Sequence, residues 1–204
     1  MLTVYHLRRS RSDRVLWLLE ELGLDYAMET FDRDANQRSP AAMRKIHPLG
    51  KSPLIRDGDV VLPESGAIVD YIVTRHGGGR LAPRHGDPAW PRYVFWLHFV
   101  EGSLMSALVT DVLVNSGMVP GVEPGALGPM VQAELARIVQ WVDGDMSGCA
   151  FAAGDAFTAA DVMLASGLEA ANARGHLGGT ANLLPYLERM AARPAYRRAK
   201  QKAE

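Results

Sequence analysis

The stretches His47-Pro-Leu-Gly-Lys-Ser-Pro53 and Pro63-Glu-Ser-Gly66 decide the fold of this chain, and Glu64 follows Pro53 by 11 residues. Pro53 opens a strand-like stretch, whereas Glu64 and Ser65 supply a carboxylate and a hydroxyl where a helix-like stretch begins. The N-terminus of a helix attracts anions, and an extended peptide binds beside a strand through its backbone. The spacing therefore predicts a site that holds a small peptide by its backbone and captures its carboxylate.

The chain before this pair of stretches predicts a strand, a helix and a second strand. The two strands are expected at residues 2–5 and 26–30. Apolar residues at i, i+3, i+4 and i+7 predict the helix between them. These apolar residues are Val15, Leu18, Leu19 and Leu22. Ser12 is a candidate N-cap of this helix, and Gly23 is a candidate for its end.

The residues that follow predict two further helices and a β-hairpin. Residues 40–46 predict a short helix, and residues 54–62 predict a hairpin that turns at Asp57-Gly58-Asp59. Residues 65–75 predict a further helix. The resulting β-α-β-α-β-β-α order over residues 1–76 is typical of a thioredoxin-like domain with a mixed sheet.

The rest of the chain shows a helical pattern without strand signals. Glycine and proline in residues 77–87 predict a linker, and residues 88–204 predict an all-helical domain. The apolar faces of its two longest helices are Leu97, Val100, Leu104, Leu108 and Val112, and then Val131, Leu135, Ile138, Val139, Val142 and Met146. Residues 115–129, which are rich in glycine and proline, are expected to form the turn between them. Thr158 and Asp161 predict a capping box, and shorter helices are expected at 183–190 and 195–200.

Composition excludes several classes of function. The chain has 204 residues, a net charge of −1 and 48% hydrophobic residues, which favours a soluble protein of one or two domains over a nucleic-acid or membrane-surface binder. No signal peptide and no apolar run of about 18 residues is found, so a cytoplasmic location is expected. The one cysteine, Cys149, is interpreted as a core residue, and the six histidines have no metal-ligand spacing. Glu20-Glu21 is interpreted as a solvated helix face.

Four motifs together resemble the bacterial members of the cytosolic glutathione transferase family. They are Ser10-Arg-Ser-Asp-Arg14, His47-Pro-Leu-Gly-Lys-Ser-Pro53, Pro63-Glu-Ser-Gly66 and Phe157-Thr-Ala-Ala-Asp161. The resemblance covers almost the whole chain. It implies an α/β plus all-α architecture, in which a thioredoxin-like domain is followed by a C-terminal helical bundle. It also implies glutathione as co-substrate, with no other cofactor and no metal.

The resemblance implies how glutathione is held. Ser65 and the N–H groups that begin its helix suit the γ-glutamyl carboxylate, and Glu64 suits the amine. Pro53 is expected to follow a cis bond, so that Ser52 pairs with the cysteinyl backbone. The cations for the glycyl carboxylate are Lys51 and Arg38. Taken alone, Ser65 is more often only a helix cap and Glu64 a surface acid, and Lys51 and Arg38 are equally solvated surface charges.

The catalytic hydroxyl is expected between the first strand and the first helix. Ser10 lies four residues before Arg14 and matches the catalytic serine of one branch of the family. Other branches have this serine five residues before, where this chain has Arg9, and Ser12 is a further alternative. Tyr5 is a weaker candidate, because it belongs to the predicted first strand and fits poorly the pattern of family members that use a catalytic tyrosine. No cysteine occurs in residues 5–15, which excludes the Cys-x-x-Cys chemistry of thioredoxins.

The resemblance also suggests an electrophile pocket and a dimer. The pocket is expected near Leu7, Met105 and Leu108. The helices that hold Ser65 and residues 96–105 meet a second subunit in this family. A homodimer is therefore expected, in which Glu101 or Ser103 approaches the partner's glutathione.

The predicted activity is conjugation of glutathione to small hydrophobic electrophiles, or reduction of peroxides by glutathione. An alternative enzymatic activity at the same site is that of a glutathione-dependent isomerase, dehalogenase or lyase. A non-catalytic glutathione-binding protein is the alternative from another class, because a fold does not determine a function.

Overall fold

The computed structural model describes residues 1–117, 121–123 and 125–204. The chain divides into two compact units. Unit 1 contains Met1–Arg84 together with Ala191–Glu204, and unit 2 contains His85–Met190. This division differs from the predicted one at residues 191–204, which group with the N-terminal unit. The proposed domain boundaries at residues 76 and 88 stay a prediction.

Unit 1 is built on one mixed sheet. Its strands are β1 (Leu2–Leu7), β2 (Ala27–Phe31), β3 (Leu54–Asp57) and β4 (Val60–Pro63), in the order β2-β1-β3-β4. Strands β1 and β2 are parallel, and the other pairs are antiparallel. The hairpin turns at Gly58, whose φ of 59° lies in the left-handed region that glycine tolerates. The predicted mixed sheet and its hairpin are confirmed.

Four helices accompany this sheet. They are α1 (Asp13–Leu22), α2 (Ala41–Ile46), α3 (Ser65–His76) and α9 (Pro194–Ala203). The predicted apolar stripe of α1 is buried throughout its length, because this face packs into the core of unit 1. The helix ends as predicted at Gly23, which has a φ of 61°. The element order confirms the thioredoxin-like fold of this unit.

Helix α9 packs on α1 through rings and ion pairs. The rings of Trp17 and Tyr196 meet edge to face at 5.0 Å. The Arg193 Nε lies 2.6 Å from Glu21 Oε1, and the Arg198 Nε lies 2.8 Å from Glu20 Oε2. The Glu20 and Glu21 side chains are only 9% and 8% exposed. The prediction of a solvated acidic face on α1 is therefore wrong, because α9 covers it.

Unit 2 is helical, as predicted. Its helices are α4 (Trp90–Phe99), α5 (Ser106–Asn115), α6 (Leu127–Asp145), α7 (Ala159–Asn172) and α8 (Leu183–Ala191), with a π-helical segment, Val100–Met105, joining α4 to α5. Helix α7 is the most buried of them. At Gly167 an added Cβ would lie 3.0 Å from side-chain carbons of Val100 and Leu104. The absence of a side chain there allows the π-helical segment to pack closely on α7.

The long turn before α6 is only partly described. Helix α5 ends at Asn115 and α6 begins at Leu127, two residues before the predicted end of the turn at residue 129. Residues 118–120 and 124 lie outside the described part of the chain. The capping box at the start of α7 is confirmed, since Asp161 Oδ2 accepts a 2.8 Å hydrogen bond from the Thr158 backbone N–H.

The continuous helical stretch Trp90–Asn115 is long and apolar enough to cross a membrane by composition, with a mean hydropathy of 1.4 over 18 residues. The core helices of soluble proteins also have this length and composition. Here Trp96, Leu97, Leu104 and Leu108 are buried within unit 2. Packing inside the unit accounts for the apolar character of this face.

Candidate functional site

The strand register brings three separate chain segments to one edge of the sheet. Tyr5 pairs with Leu54, and Leu54 pairs with Pro63. The end of β1, the beginning of β3 and the end of β4 therefore lie side by side. Pro53 precedes Leu54 and Glu64 follows Pro63, so the motifs at residues 47–53 and 63–66 are neighbours at this edge.

The bond between Ser52 and Pro53 is cis, which confirms the prediction made from the family resemblance. Pro53 is buried and Ser52 is half-buried. The Ser52 Oγ lies 2.9 Å from Ser10 Oγ. The two hydroxyls thus join the segment before β3 to the loop after β1.

The beginning of α3 has two unusual features. Ser65 is 2% exposed, and its Oγ has no hydrogen-bond partner among the residues that the structure describes. A buried hydroxyl without a partner is costly, and such groups often mark the place of a ligand. Glu64 is exposed and has a φ of 75° and a ψ of 122°, which residues with side chains rarely adopt. Both features were missed by the sequence analysis, because neither backbone angles nor missing partners follow from residue type.

The loop after β1 holds a cluster of hydroxyls. Besides Ser52, the Ser10 Oγ contacts Ser12 Oγ at 2.9 Å. Ser12 is the N-cap residue of α1, as predicted, but its hydroxyl makes no capping hydrogen bond. It lies instead 2.8 Å from His6 Nδ1 and 3.2 Å from the Leu7 carbonyl oxygen. Ser12 is fully buried and Ser10 is half-buried, so Ser10 is the more accessible of the two hydroxyls.

A charged cleft of about 450 Å³ adjoins the same loop. Its lining includes Arg8, Arg9, Asp32, Arg33 and Lys200. Part of this charge is balanced, because Arg8 Nη1 lies 2.9 Å from Asp32 Oδ1. The Arg33 Nη2 donates to the Arg9 carbonyl oxygen at 2.8 Å. The cleft could not be predicted from the sequence, because Lys200 comes from α9 at the other end of the chain.

Comparison with known proteins identifies the family. Residues 1–74 match the model of the glutathione S-transferase N-terminal domain. The whole chain is 33% identical to glutathione S-transferase 3 of Schizosaccharomyces pombe and covers 88% of that protein.

The chain belongs to the glutathione S-transferase family.

Solved structures agree with this assignment. A glutathione S-transferase from Actinobacillus pleuropneumoniae is 31% identical, with a TM-score of 0.85 over 100% of this chain and 93% of that one. A sphingomonad glutathione S-transferase, solved in complex with glutathione, has a TM-score of 0.82 over 98% of each chain. At 23% identity, this second likeness concerns the fold alone.

The two cations predicted for the glycyl carboxylate of this transferase are both exposed. Lys51 directly precedes Ser52 at the edge of the sheet. Arg38 lies in the loop between β2 and α2, where its backbone N–H donates to Asp34 Oδ1 at 2.9 Å. Their proposed roles in binding glutathione stay predictions.

The residues predicted for the electrophile pocket of the transferase are all buried. Leu7 lies in unit 1 at the end of β1 and is 3% exposed, while Met105 and Leu108 lie in unit 2 and are 8% and 3% exposed. Their role stays a prediction. Tyr5 belongs to the core, and its hydroxyl accepts a 3.0 Å hydrogen bond from Arg56 Nε. Cys149 is half-buried and lies 3.9 Å from Arg92 Nη2.

Proposed function

We propose that this glutathione transferase binds glutathione at the sheet edge formed by Ser10, Ser52 and Ser65, and transfers its sulfur to small hydrophobic electrophiles. The observation that carries the proposal is the buried Ser65 hydroxyl at the beginning of α3, which has no hydrogen-bond partner among the described residues. This donor lies beside a helix N-terminus that favours a negative charge. The γ-glutamyl carboxylate of glutathione supplies an acceptor for it.

The remaining parts of glutathione have complementary groups along the same edge. The exposed Glu64 carboxylate suits the γ-glutamyl amine. The backbone of Ser52 suits the cysteinyl backbone, in the manner of an added strand. Lys51 and Arg38 suit the glycyl carboxylate. The glutathione-bound sphingomonad relative, which shares this fold, supports a glutathione site in a protein of this architecture.

Ser10 is the proposed catalytic hydroxyl, in preference to Arg9 and Ser12. Its contact with Ser52 Oγ at 2.9 Å brings it next to the proposed backbone site, whereas the Ser12 hydroxyl is fully buried. A hydrogen bond to a charged group contributes about 1.5–3 kcal/mol. Since about 1.4 kcal/mol corresponds to one pKa unit, this bond lowers the pKa of a thiol by about 1–2 units from its usual 8.5.

The thiolate then reacts as a nucleophile. It attacks an electrophilic carbon, where it displaces a leaving group or opens a ring, and the new carbon–sulfur bond remains in the product. With a hydroperoxide the same thiolate attacks the terminal oxygen, which breaks the O–O bond, releases the protonated alcohol and leaves a glutathione sulfenic acid. The thiol of a second glutathione then displaces water from this sulfenic acid and forms the disulfide. Holding both reactants in one site supplies the remaining rate enhancement. Leu7, Met105 and Leu108 are proposed to contact the apolar part of the electrophile.

We also propose a cytoplasmic homodimer, in line with the expectation for this family. In it α3 and the helical stretch of residues 96–105 meet the second subunit, and Glu101 or Ser103 approaches the partner's glutathione. Sedimentation at several protein concentrations tests the dimer.

Affinity chromatography followed by an activity panel tests the function. The protein is expected to bind immobilised glutathione and to elute with free glutathione, and Ser65→Ala is expected to bind more weakly. The panel contains aromatic halides, epoxides, isothiocyanates and hydroperoxides. Failure to bind the column would exclude a glutathione site. Binding without activity towards any member would favour a glutathione-binding protein or a glutathione-dependent isomerase, dehalogenase or lyase.

A further inference from the structure

A chain of hydrogen bonds leads from the proposed catalytic hydroxyl to a buried histidine. Ser10 Oγ lies 2.9 Å from Ser12 Oγ, and Ser12 Oγ lies 2.8 Å from His6 Nδ1. His6 and Ser12 are both 0% exposed. Each link is short enough for proton transfer along hydrogen bonds. These hydrogen bonds therefore connect the half-buried Ser10 to an imidazole that water does not reach directly.

The surroundings of His6 determine the direction of these hydrogen bonds. Its Nε2 lies 3.0 Å from the Ala203 carbonyl oxygen, which can only accept. Nε2 therefore carries a hydrogen, and in the neutral imidazole Nδ1 is left as an acceptor. The Ser12 hydroxyl donates to it at 2.8 Å, in preference to the Leu7 carbonyl oxygen at 3.2 Å. The lone pairs of Ser12 Oγ are then available to the Ser10 hydroxyl.

We propose that His6 accepts the proton of the glutathione thiol through Ser12 and Ser10, an inference that rests on the proposed function. The sulfur–hydrogen bond breaks as its proton passes to Ser10 Oγ, and the original Ser10 proton passes to Ser12 Oγ. The original Ser12 proton passes to His6 Nδ1. The products are a thiolate, two neutral hydroxyls and an imidazolium. After the sulfur has reacted, the proton returns through the same hydrogen bonds to the leaving group or to solvent.

The charged groups around His6 suit this step. From the beginning of α1, Asp13 Oδ1 lies 4.0 Å from His6 Nδ1 and stabilises an imidazolium. From α9, Lys200 Nζ lies 4.0 Å from the other oxygen of Asp13 and moderates that effect. After the transfer, Nδ1 donates to Ser12, and the new Ser10 hydrogen points to the sulfur. A serine hydroxyl alone is too weak a base to take this proton, so His6 supplies the missing proton acceptor.

Counting protons on the wild-type protein tests the relay directly. Calorimetric titration with glutathione near neutral pH, in two buffers of different ionisation enthalpy, gives the protons released per glutathione bound. Ultraviolet absorbance gives the thiolate formed. The relay predicts that far fewer protons are released than thiolates are formed, because His6 retains them. Release of one proton for each thiolate would overturn the relay and leave the proposed function intact. No binding at all would overturn the proposed function itself.

Variants give a second, independent test. His6→Asn and Ser12→Ala are each expected to raise the pKa of bound glutathione by about 1 unit, and to lower kcat/KM about tenfold at neutral pH with little change in KM for glutathione. Because both cut the same relay, the double variant is expected to match either single variant. His76→Asn is the matched control, since His76 pairs with Asp57 at 2.7 Å in the same unit, outside the relay.

Additive effects of His6→Asn and Ser12→Ala on the pKa of bound glutathione would overturn the inference. So would an equal loss of activity in His76→Asn, since that result would indicate a general effect on the fold. Melting curves identify variants that do not fold. If His6→Asn does not fold, the proton count on the wild-type protein and the Ser12→Ala result test the relay.

Discussion

The hydroxyl oxygens of Ser10 and Ser52 lie 2.9 Å apart, although the two residues are 42 positions apart in the chain. Ser10 belongs to the loop after β1, and Ser52 precedes the cis bond to Pro53. Their contact joins the proposed catalytic hydroxyl to the proposed backbone-binding segment. A change at either residue is therefore expected to act on the sulfur of glutathione more than on the fold.

Replacing Ser10 by Ala is expected to raise the pKa of bound glutathione by about 1–2 units, because the hydrogen bond to the thiolate is lost. Affinity is expected to fall much less, since both ends of the tripeptide remain held. Ultraviolet absorbance of the thiolate against pH measures the effect. Arg9→Ala is the control and should leave this pKa unchanged. A shift confined to Arg9→Ala would mean that a fixed positive charge activates the sulfur instead.

Replacing Glu64 by Gly is expected to separate stability from binding. Glycine adopts the observed φ of 75° without strain, so the free energy of unfolding should rise by about 1 kcal/mol. Loss of the carboxylate should weaken glutathione binding by about 1–3 kcal/mol. Denaturant unfolding and calorimetric titration measure the two effects. The proposed contact to the amine is wrong if affinity is unchanged in Glu64→Gly and in Glu64→Ala.

Replacing Ser65 by Ala is expected to lower affinity for glutathione by about 1–3 kcal/mol without lowering stability. The reason is that the buried hydroxyl has no partner within the described residues of the protein, so its removal breaks no internal hydrogen bond. Calorimetric titration and thermal unfolding provide the measurements. A large loss of stability with unchanged affinity would show that Ser65 serves only the helix.

Asp161 is expected to show the opposite pattern. Its carboxylate accepts hydrogen bonds from Ala152 N–H at 2.7 Å, Thr158 N–H at 2.8 Å and the Tyr186 hydroxyl at 2.9 Å, and it is 0% exposed. The Thr158 hydroxyl also donates to it at 3.2 Å. Asp161→Ala therefore leaves four buried donors without this acceptor and should cost about 3–5 kcal/mol of stability.

Denaturant unfolding measures this cost, and Asp155→Ala is the control. Asp155 is an exposed aspartate a few residues away, so its replacement should change stability by less than about 0.5 kcal/mol. Glutathione affinity of folded Asp161→Ala should hardly change. Normal stability together with lost binding would contradict a structural role for Asp161.

Acid is expected to loosen α9 through Glu20. Burial raises the pKa of this carboxyl, but hydrogen bonds from Lys202, Arg198 and Tyr26 outweigh burial and hold the pKa below its ordinary 4.5. Because the folded pKa is lowered, the stabilisation is complete above pH 4.5 and is lost as the pH falls through the folded value. The protection of the backbone amides in residues 191–204 against hydrogen exchange, relative to their intrinsic rates at each pH, should fall over that range.

Glu20→Gln tests the assignment. It should remove this part of the pH dependence and cost about 1 kcal/mol at neutral pH. Glu134→Gln, which removes an exposed pair with Arg137 on α6, should leave exchange in residues 191–204 unchanged. The same acid response in wild type and Glu20→Gln would assign the effect to other groups.

Several features of this protein follow from its sequence because their causes are local. The apolar stripe of α1 predicts a buried helix face, and Gly23 predicts its end, since periodicity and a left-handed cap act within a few residues. The capping box of Thr158 and Asp161 is equally local. The motifs around Pro53 and Ser65 resemble those of the family, and this resemblance predicted the cis bond between Ser52 and Pro53.

Tertiary structure alone decided the features that join distant parts of the chain. The hydroxyl of Ser12 has the residue type and position of a helix cap, yet it contacts His6 instead. Glu20 and Glu21 form an acidic face that periodicity assigns to solvent, yet α9 covers it. His6 contacts Ala203 across 197 residues. Local propensities contain no information on such partners, because burial and hydrogen bonding at these positions depend on which distant segment packs there.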